Sequence, residues 1–400
     1  VSDAFPGRRF SIDGAKPHIE KRTLKVSSME SELKEMLASL DRTGYCQWMR
    51  SEGVPVIEGF SVEDVRELKL ATWRRTGGAG AFVHLYGMEG QTGMYVAEIP
   101  AAGALNPERH LYEEMICILA GHGATEVWQE GGKKRVFEWG PFSLFAPPLN
   151  SWHRLINGGR EPVRLIGVTT APIAMDFYRN PEFIFNCPYA FSERFASEED
   201  YFATSQNFFA IGMQSIWQTN FIPDAKAIKV RDDLYVKGTE VGMVQFETSK
   251  NALIGHVADW PTGLYHKAHY HGAGAVIVIL KSEGYTLLWP KEIGTQPYAS
   301  GRADSVAELR WGEGSVLSPP SGWFHQHFNI GKEAARQLAL RFGSRLHPIG
   351  LHQAAKKKTD GVYISVKEGG TMIEYEDEDP EIRRRFEANL QRAATPLRLR

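Results

Sequence analysis

One pattern of histidines, glycines, tryptophans and prolines runs through this chain twice. The first copy reads Glu108-Arg-His110, then Glu114, Gly121, Gly123, Trp128, Trp139-Gly140, Pro147-Pro148, His153 and Asn157. The second reads His269-Tyr-His271, Ala275, Gly284, Trp289, Trp311-Gly312, Pro319-Pro320, His325 and Asn329. Upstream, Val96-Ala-Glu-Ile-Pro100 matches Val257-Ala-Asp-Trp-Pro261. A repeat of this length means two copies of one fold unit in a single polypeptide. Each copy brings His or Glu side chains from distant stretches toward one point, as a metal site requires.

The 400 residues have room for two such units and extensions. A net charge of −2 gives no electrostatic reason for nucleic acid or an anionic membrane as partner. Three scattered cysteines, Cys46, Cys117 and Cys187, make no disulfide framework, so a reducing cytoplasm is the expected compartment. No apolar run has the length of a membrane-spanning helix.

The texture changes along the chain. Met29, Leu33, Met36, Leu37 and Leu40 form a helical stripe within 27–49. Ser61-Val-Glu-Asp and Ser197-Glu-Glu-Asp each read as helix starts. Runs of Val, Ile, Phe, Tyr and Thr broken by Gly, Pro and Asn predict short strands over 79–172 and again over 228–347. The expected division is an N-terminal helical extension over 1–78, a first barrel over 79–172 and an aromatic interdomain segment over 173–227. A second barrel over 228–347 and a polar tail over 348–400 complete it. In that tail Asp379-Pro380 opens a short helix running to Leu390, and Lys356-Lys-Lys358 is a solvated run.

Alternate residues of a strand face one side, so His269 and His271 can point into one barrel while His325 enters from another wall. Three neutral imidazoles suit Fe(II), Mn(II), Ni(II), Cu(II) or Zn(II) and leave coordination positions open. In the first copy Glu108, His110 and Glu114 share strand parity and His153 follows. Two histidines with a carboxylate make a harder donor set. Glu108 has two readings, a ligand or a salt bridge to Arg109 or Arg154. His327 reads as a proton relay or a rim residue, and His266 as a rim residue. Asn157 and Asn329 read as turn anchors, and the matched tryptophans as packing. Arg154, Arg164 and Arg341 are candidates for a substrate carboxylate.

The two halves of the pattern resemble the cupin motif pair, in which HxH, Glu and Gly are followed by Gly, Pro, His and Asn. Glu114 and Gly121 hold the Glu–Gly spacing, and Gly140, Pro147, His153 and Asn157 fit the second half. Glu108 stands where the first His belongs. In the second copy both histidines are present and Ala275 replaces the Glu. The chain thus resembles a bicupin, which implies an all-β fold of two tandem jelly-roll barrels with helical N-terminal, interdomain and C-terminal additions. The second copy is similar to gentisate-type ring-cleaving dioxygenases. That similarity implies Fe(II), O2 and an aromatic hydroxy acid, although there the histidine cluster belongs to the first barrel. Oxalate decarboxylase, with manganese in each barrel, is the other bicupin it resembles, and neither copy has that enzyme's full set of three His and one Glu. The expected function is a non-haem Fe(II) dioxygenase cleaving a C–C bond of a small substrate, in a homodimer. The alternatives are a redox-neutral Mn or Zn decarboxylase, lyase, isomerase or hydrolase, and a non-catalytic binding protein.

Overall fold

The computed structural model describes residues 31, 35, 43–211, 214–230, 241–272, 274–347 and 364–398. Each repeat folds into a large sheet and a small one closed over an apolar interior. In the first half the strands Gly78–Leu85, Gly93–Ile99, Val163–Thr169 and Glu114–Ala120 form the centre of an 8-stranded sheet. Gly123–Trp128, Arg135–Trp139 and Trp152–Ile156 form the small sheet. In the second half Gly242–Glu247, Leu253–Trp260, Ala335–Phe342 and Val276–Lys281 are central to the large sheet. The small sheet there is Gly284–Pro290, Ala307–Trp311 and Trp323–Asn329. The two barrels follow the same strand order.

Inward positions fill the two interiors. Phe82, Ile99, Ile116, Trp139 and Leu155 pack inside the first barrel, and Trp260, Ile277, Ile279, Trp311 and Ala339 inside the second. The outer faces of the two large sheets supply a third core, where Val83, Val96, Cys117 and Val168 meet Val244, Val257, Val278 and Leu338. A strand buried on both faces reads as a continuous apolar run, as in Met115-Ile-Cys-Ile-Leu119.

The halves also exchange edge strands. Ser61–Val62 pairs with Val316–Leu317 of the second barrel, and Phe221–Ile222 pairs with Leu144–Phe145 of the first. Matching bonds secure both exchanges: Val65 N–H donates to Gly314 (3.0 Å) and Ala225 N–H to Phe142 (2.8 Å). The hydroxyls of Ser315 and Ser143 donate to the carbonyls of Glu63 and Pro223. Each exchange covers an edge that would otherwise present unpaired backbone groups.

This corrects the helix expected after Ser61. The Asp64 carboxylate there accepts the Arg66 N–H (2.8 Å) in a tight turn after the exchanged strand. Strands begin at Val56, upstream of residue 79. No helix starts at Ser197 either. Ser197 has φ of 64°, and Glu198 accepts the Ala196 N–H (2.9 Å), a local bond that competes with a helical turn. The interdomain stretch instead contains the helices Ala171–Tyr178 and Pro181–Asn186.

The helix Gly44–Ser51 buries Tyr45, Cys46, Trp48 and Met49 against the first barrel. All five residues of the predicted stripe, Met29, Leu33, Met36, Leu37 and Leu40, lie outside the described residues, as does Lys356-Lys-Lys358. The C-terminal helix Pro380–Ala393 has the expected Asp379 cap and packs Ile382, Phe386 and Leu390 against the outer face of the second barrel's small sheet, where Phe386 meets Tyr265 and Phe328. No described helix is long and apolar enough to cross a membrane.

Candidate metal centres

Two groups of donors converge, one in each barrel: His110, Glu114 and His153, and His269, His271 and His325. Within each group the ligand atoms lie within 4.8 Å of one another.

In the first barrel Glu114 opens a strand of the large sheet and His153 sits on the small one. His110 comes from a loop tied to the His153 strand. Glu108 N–H donates to the His153 carbonyl (3.0 Å), and His153 N–H to the Glu108 carbonyl (2.9 Å). The His110 ring stacks on Tyr112 at 3.7 Å. Its Nδ1 lies 2.8 Å from the Tyr112 carbonyl, and His153 Nδ1 lies 3.1 Å from the Ser151 carbonyl. A carbonyl only accepts, so both protons sit on Nδ1 in the neutral rings and both Nε2 lone pairs face inward.

Each of those Nε2 atoms lies 3.6 Å from Glu114 Oε2. All three atoms are buried and make no hydrogen bond. Donors about 2.1 Å from one ion at tetrahedral to octahedral angles stand about 3.0–3.4 Å apart, so a divalent cation would need to draw these donors together by only about 0.2–0.6 Å. The other carboxylate oxygen accepts the Tyr95 hydroxyl (2.7 Å). Burial pushes the Tyr95 hydroxyl far up, so it remains a donor. Burial alone would also raise Glu114, but the close approach of His110 and His153, when charged, holds its carboxyl well below the usual range. Burial opposes the charge on His153, yet Glu114 keeps its imidazole above the ordinary value.

Glu108 does not join this cluster, and it pairs with neither Arg109 nor Arg154. Its carboxylate binds Arg75, which also holds Glu52 (2.7 Å) and lies over Trp73 and Phe185. A guanidinium this buried needs nearby countercharge, and Glu108 supplies it. Arg109 lies over Trp152. Arg154 alternates with buried His153 along the strand and so faces the other side of the sheet. Arg164 braces the exchanged segment through the Arg66 and Leu68 carbonyls and pairs with Glu98 (2.8 Å), away from both clusters.

In the second barrel His269 and His271 occupy a loop pinned by isolated bridges, rather than a continuous strand. His269 bridges both His325 and Met372. The ring centroids stand 4.3 Å (His269–His325) and 4.6 Å (His271–His325) apart. The three Nδ1 atoms again face backbone carbonyls: Lys267 (3.0 Å), Gly272 (2.8 Å) and Trp323 (3.3 Å). The same tautomer argument turns all three Nε2 atoms toward one point. His269 and His325 are buried, whereas His271 is half-buried, so this cluster opens toward solvent on the His271 side.

His327 lies on the same face as His325, with Nδ1 2.7 Å from the Thr286 hydroxyl and its ring 5.7 Å from that of His325. His266 is fully buried against Trp260 (4.4 Å), not at a rim, and is outside the cluster. Asn157 and Asn329 tie turns, donating to Glu161 and Glu333 carbonyls. Trp139 and Trp311 donate to Thr125 and Thr286.

Sequence reasoning missed the residues that surround the two clusters. Tyr95 and His256 occupy matched positions immediately before Val96 and Val257, a correspondence the repeat itself carries. Tyr95 fits the first barrel only because Gly167 opposes it, where a Cβ would lie 2.2 Å from the ring. In the second barrel Ala339 takes the Gly167 position and opposes His256. Arg341, a candidate from sequence, donates to His256 Nδ1 (3.1 Å) and Gln245 Oε1 (3.2 Å).

No family model and no curated protein matches the chain. Among solved structures, a mutant of oxalate decarboxylase from Bacillus subtilis is 11% identical with a TM-score of 0.47, covering 76% of this chain and 82% of that one. The formate complex of oxalate decarboxylase from Lactobacillus farciminis is 13% identical with a TM-score of 0.45, covering 77% and 94%. Identities this low leave the substrate to be inferred from the chain's own residues. By its strand order and its paired donor clusters, the chain has the bicupin fold, two cupin-type barrels in one polypeptide.

Proposed function

We propose that the protein is a metal-dependent enzyme whose reaction takes place in the second barrel, on a small polar anion, without oxidation by O2. The observation that carries this is the second cluster: three imidazoles with Nδ1 held by carbonyls, one of them reaching toward solvent. A divalent ion bound there would act as a Lewis acid on a substrate oxygen, and Mn(II) or Zn(II) suits that role as well as Fe(II). The first cluster is fully buried and adjoins Tyr45, Trp48, Tyr95 and Tyr112, which suits an ion held for stability.

The lining selects between reaction classes. Cross-strand rows on the inner face of the second large sheet run Gln245, His256, Ala339, Ile277 and Met243, Ala258, Gln337, Ile279. These rows contain no Phe, Tyr or Trp and carry three polar side chains, Gln245, His256 and Gln337. A decarboxylase, lyase, isomerase or hydrolase acting on a small anion fits them better than an oxygenase that must clasp a planar aromatic substrate. His327, fixed by Thr286, is the candidate for moving a proton beside the histidine cluster. Arg341 is the candidate cationic group of the pocket.

The test is turnover of candidate carboxylates by metal-loaded protein with and without oxygen, with dissolved O2 recorded. Equal rates and no O2 uptake are expected. Stoichiometric O2 consumption would return the assignment to the Fe(II) dioxygenase, which the three neutral imidazoles also accommodate.

A further inference from the structure

The two barrels differ at one matched position. The first supplies Glu114 to its cluster, and the second has Ala275 in its place. We propose that a carboxylate of the substrate occupies the space over Ala275, taking the position that the Glu114 carboxylate fills in the first barrel. The proposal rests on the metal-dependent reading of the second barrel and names the class of molecule it accepts.

The neighbours of that space carry the argument. In the first barrel Glu114 pairs in register with Thr169, and its carboxylate accepts the Tyr95 hydroxyl. In the second, Val276 pairs with Leu340, so the next rung of the antiparallel ladder sets Ala275 opposite Arg341. Thr169 and Tyr95 are thus replaced by Arg341 and His256. A guanidinium only donates, so its bond to His256 Nδ1 places the imidazole proton on Nε2. A protein carboxylate with a hydroxyl donor in one barrel becomes, in the other, an alanine ringed by donors.

A second observation points to a ligand independently. Gln245 and Gln337 are buried to 1% and 2% exposure on this inner face. Gln245 Nε2 and Gln337 Oε1 make no hydrogen bond. Gln245 already receives Arg341 on Oε1, so its amide nitrogen is a donor directed by that bond. Buried amide groups without partners are costly unless something bonds them. A carboxylate over Ala275 takes the Gln245 N–H and the Arg341 guanidinium. The geometry therefore favours a small carboxylate.

The experiment is calorimetric titration of the Mn(II)-loaded protein with glycolate, and with glycolamide as the uncharged control. Metal content is measured on every sample. Glycolate is expected to bind and glycolamide to bind about tenfold or more weakly. The decisive variant is Ala275→Glu, which restores the carboxylate within the chain. It is expected to keep its metal and lose glycolate binding by about tenfold or more, with Gln245→Leu losing a smaller factor. Undiminished glycolate binding by Ala275→Glu, or equal binding of glycolate and glycolamide, would overturn the proposal. A wild-type protein that takes up no metal in the second barrel overturns the metal-dependent reading instead, so the two failures are distinguishable.

Discussion

A carbonyl beside each imidazole decides what these histidines can do. By fixing Nδ1 as the protonated nitrogen, five separate carbonyls aim five Nε2 atoms at two points. Without metal, Glu114 favours the protonated form of His153, keeping its imidazole above the ordinary value while the Glu114 carboxyl is itself held low. Glu114, with a lowered carboxyl, contributes stability that is present above the unfolded carboxylate value and lost as pH falls through the folded one. His153, with a raised imidazole, contributes stability that is present below the unfolded imidazole value and lost as pH rises through the folded one. The metal-free protein should therefore gain most from this pair at about pH 5–6. Melting curves of chelator-treated protein should show the pair's contribution declining above neutrality, and Glu114→Gln should remove that decline. Metal-loaded protein should lose the decline as well, since the ion displaces the proton. An identical pH profile for wild type and Glu114→Gln would contradict the pairing. The histidines were legible from spacing because both motif halves recur. The partner of Glu108 was not, because Arg75 is brought to it by a tertiary contact that no local pattern encodes.

The C-terminal helix is built into the half of the molecule that it covers. Asp379 caps the helix Pro380–Ala393 by accepting the Glu381 N–H (3.0 Å), and its other oxygen accepts the N–H groups of Tyr298 (2.8 Å) and Ala299 (2.7 Å). Asp379→Ala should cost about 2–4 kcal/mol, combining the lost cap with two donors left unpaired, measured by denaturant unfolding. A change below about 0.5 kcal/mol would mean that the helix does not brace the second barrel. This helix was readable because Asp-Pro followed by an apolar stripe is a local signal. Ser61 and Ser197 carried a similar local signal and form no helix. At Ser61 pairing with the opposite barrel prevails, and at Ser197 a left-handed backbone and the Glu198 side-chain bond prevail. A capping sequence gives the start of a helix only where tertiary pairing does not claim the same backbone.

Across the whole molecule the barrels are joined by exchanged strands, a shared apolar core and buried polar clamps. Glu113, next to the candidate ligand Glu114 but on the other face, accepts the N–H groups of Ala252 (2.6 Å) and Leu253 (2.9 Å) in the second half and pairs with Arg194 (3.4 Å). Glu113→Ala should cost about 2–4 kcal/mol and Glu113→Gln less, since an amide oxygen still accepts those donors. Separate unfolding transitions for the two halves of the Glu113→Ala variant would support the clamp, and an unchanged melting curve would contradict it. The repeat announced two barrels, but not their exchange, because two-residue edge strands carry no periodicity to read. The central claim is that each barrel closes around one divalent ion. Metal content should be measured for the wild type, His110→Ala and His271→Ala after saturation with Mn(II) and removal of free ion. The account predicts about two equivalents in the wild type and a loss of about one in each variant, whereas full retention in either variant would contradict it.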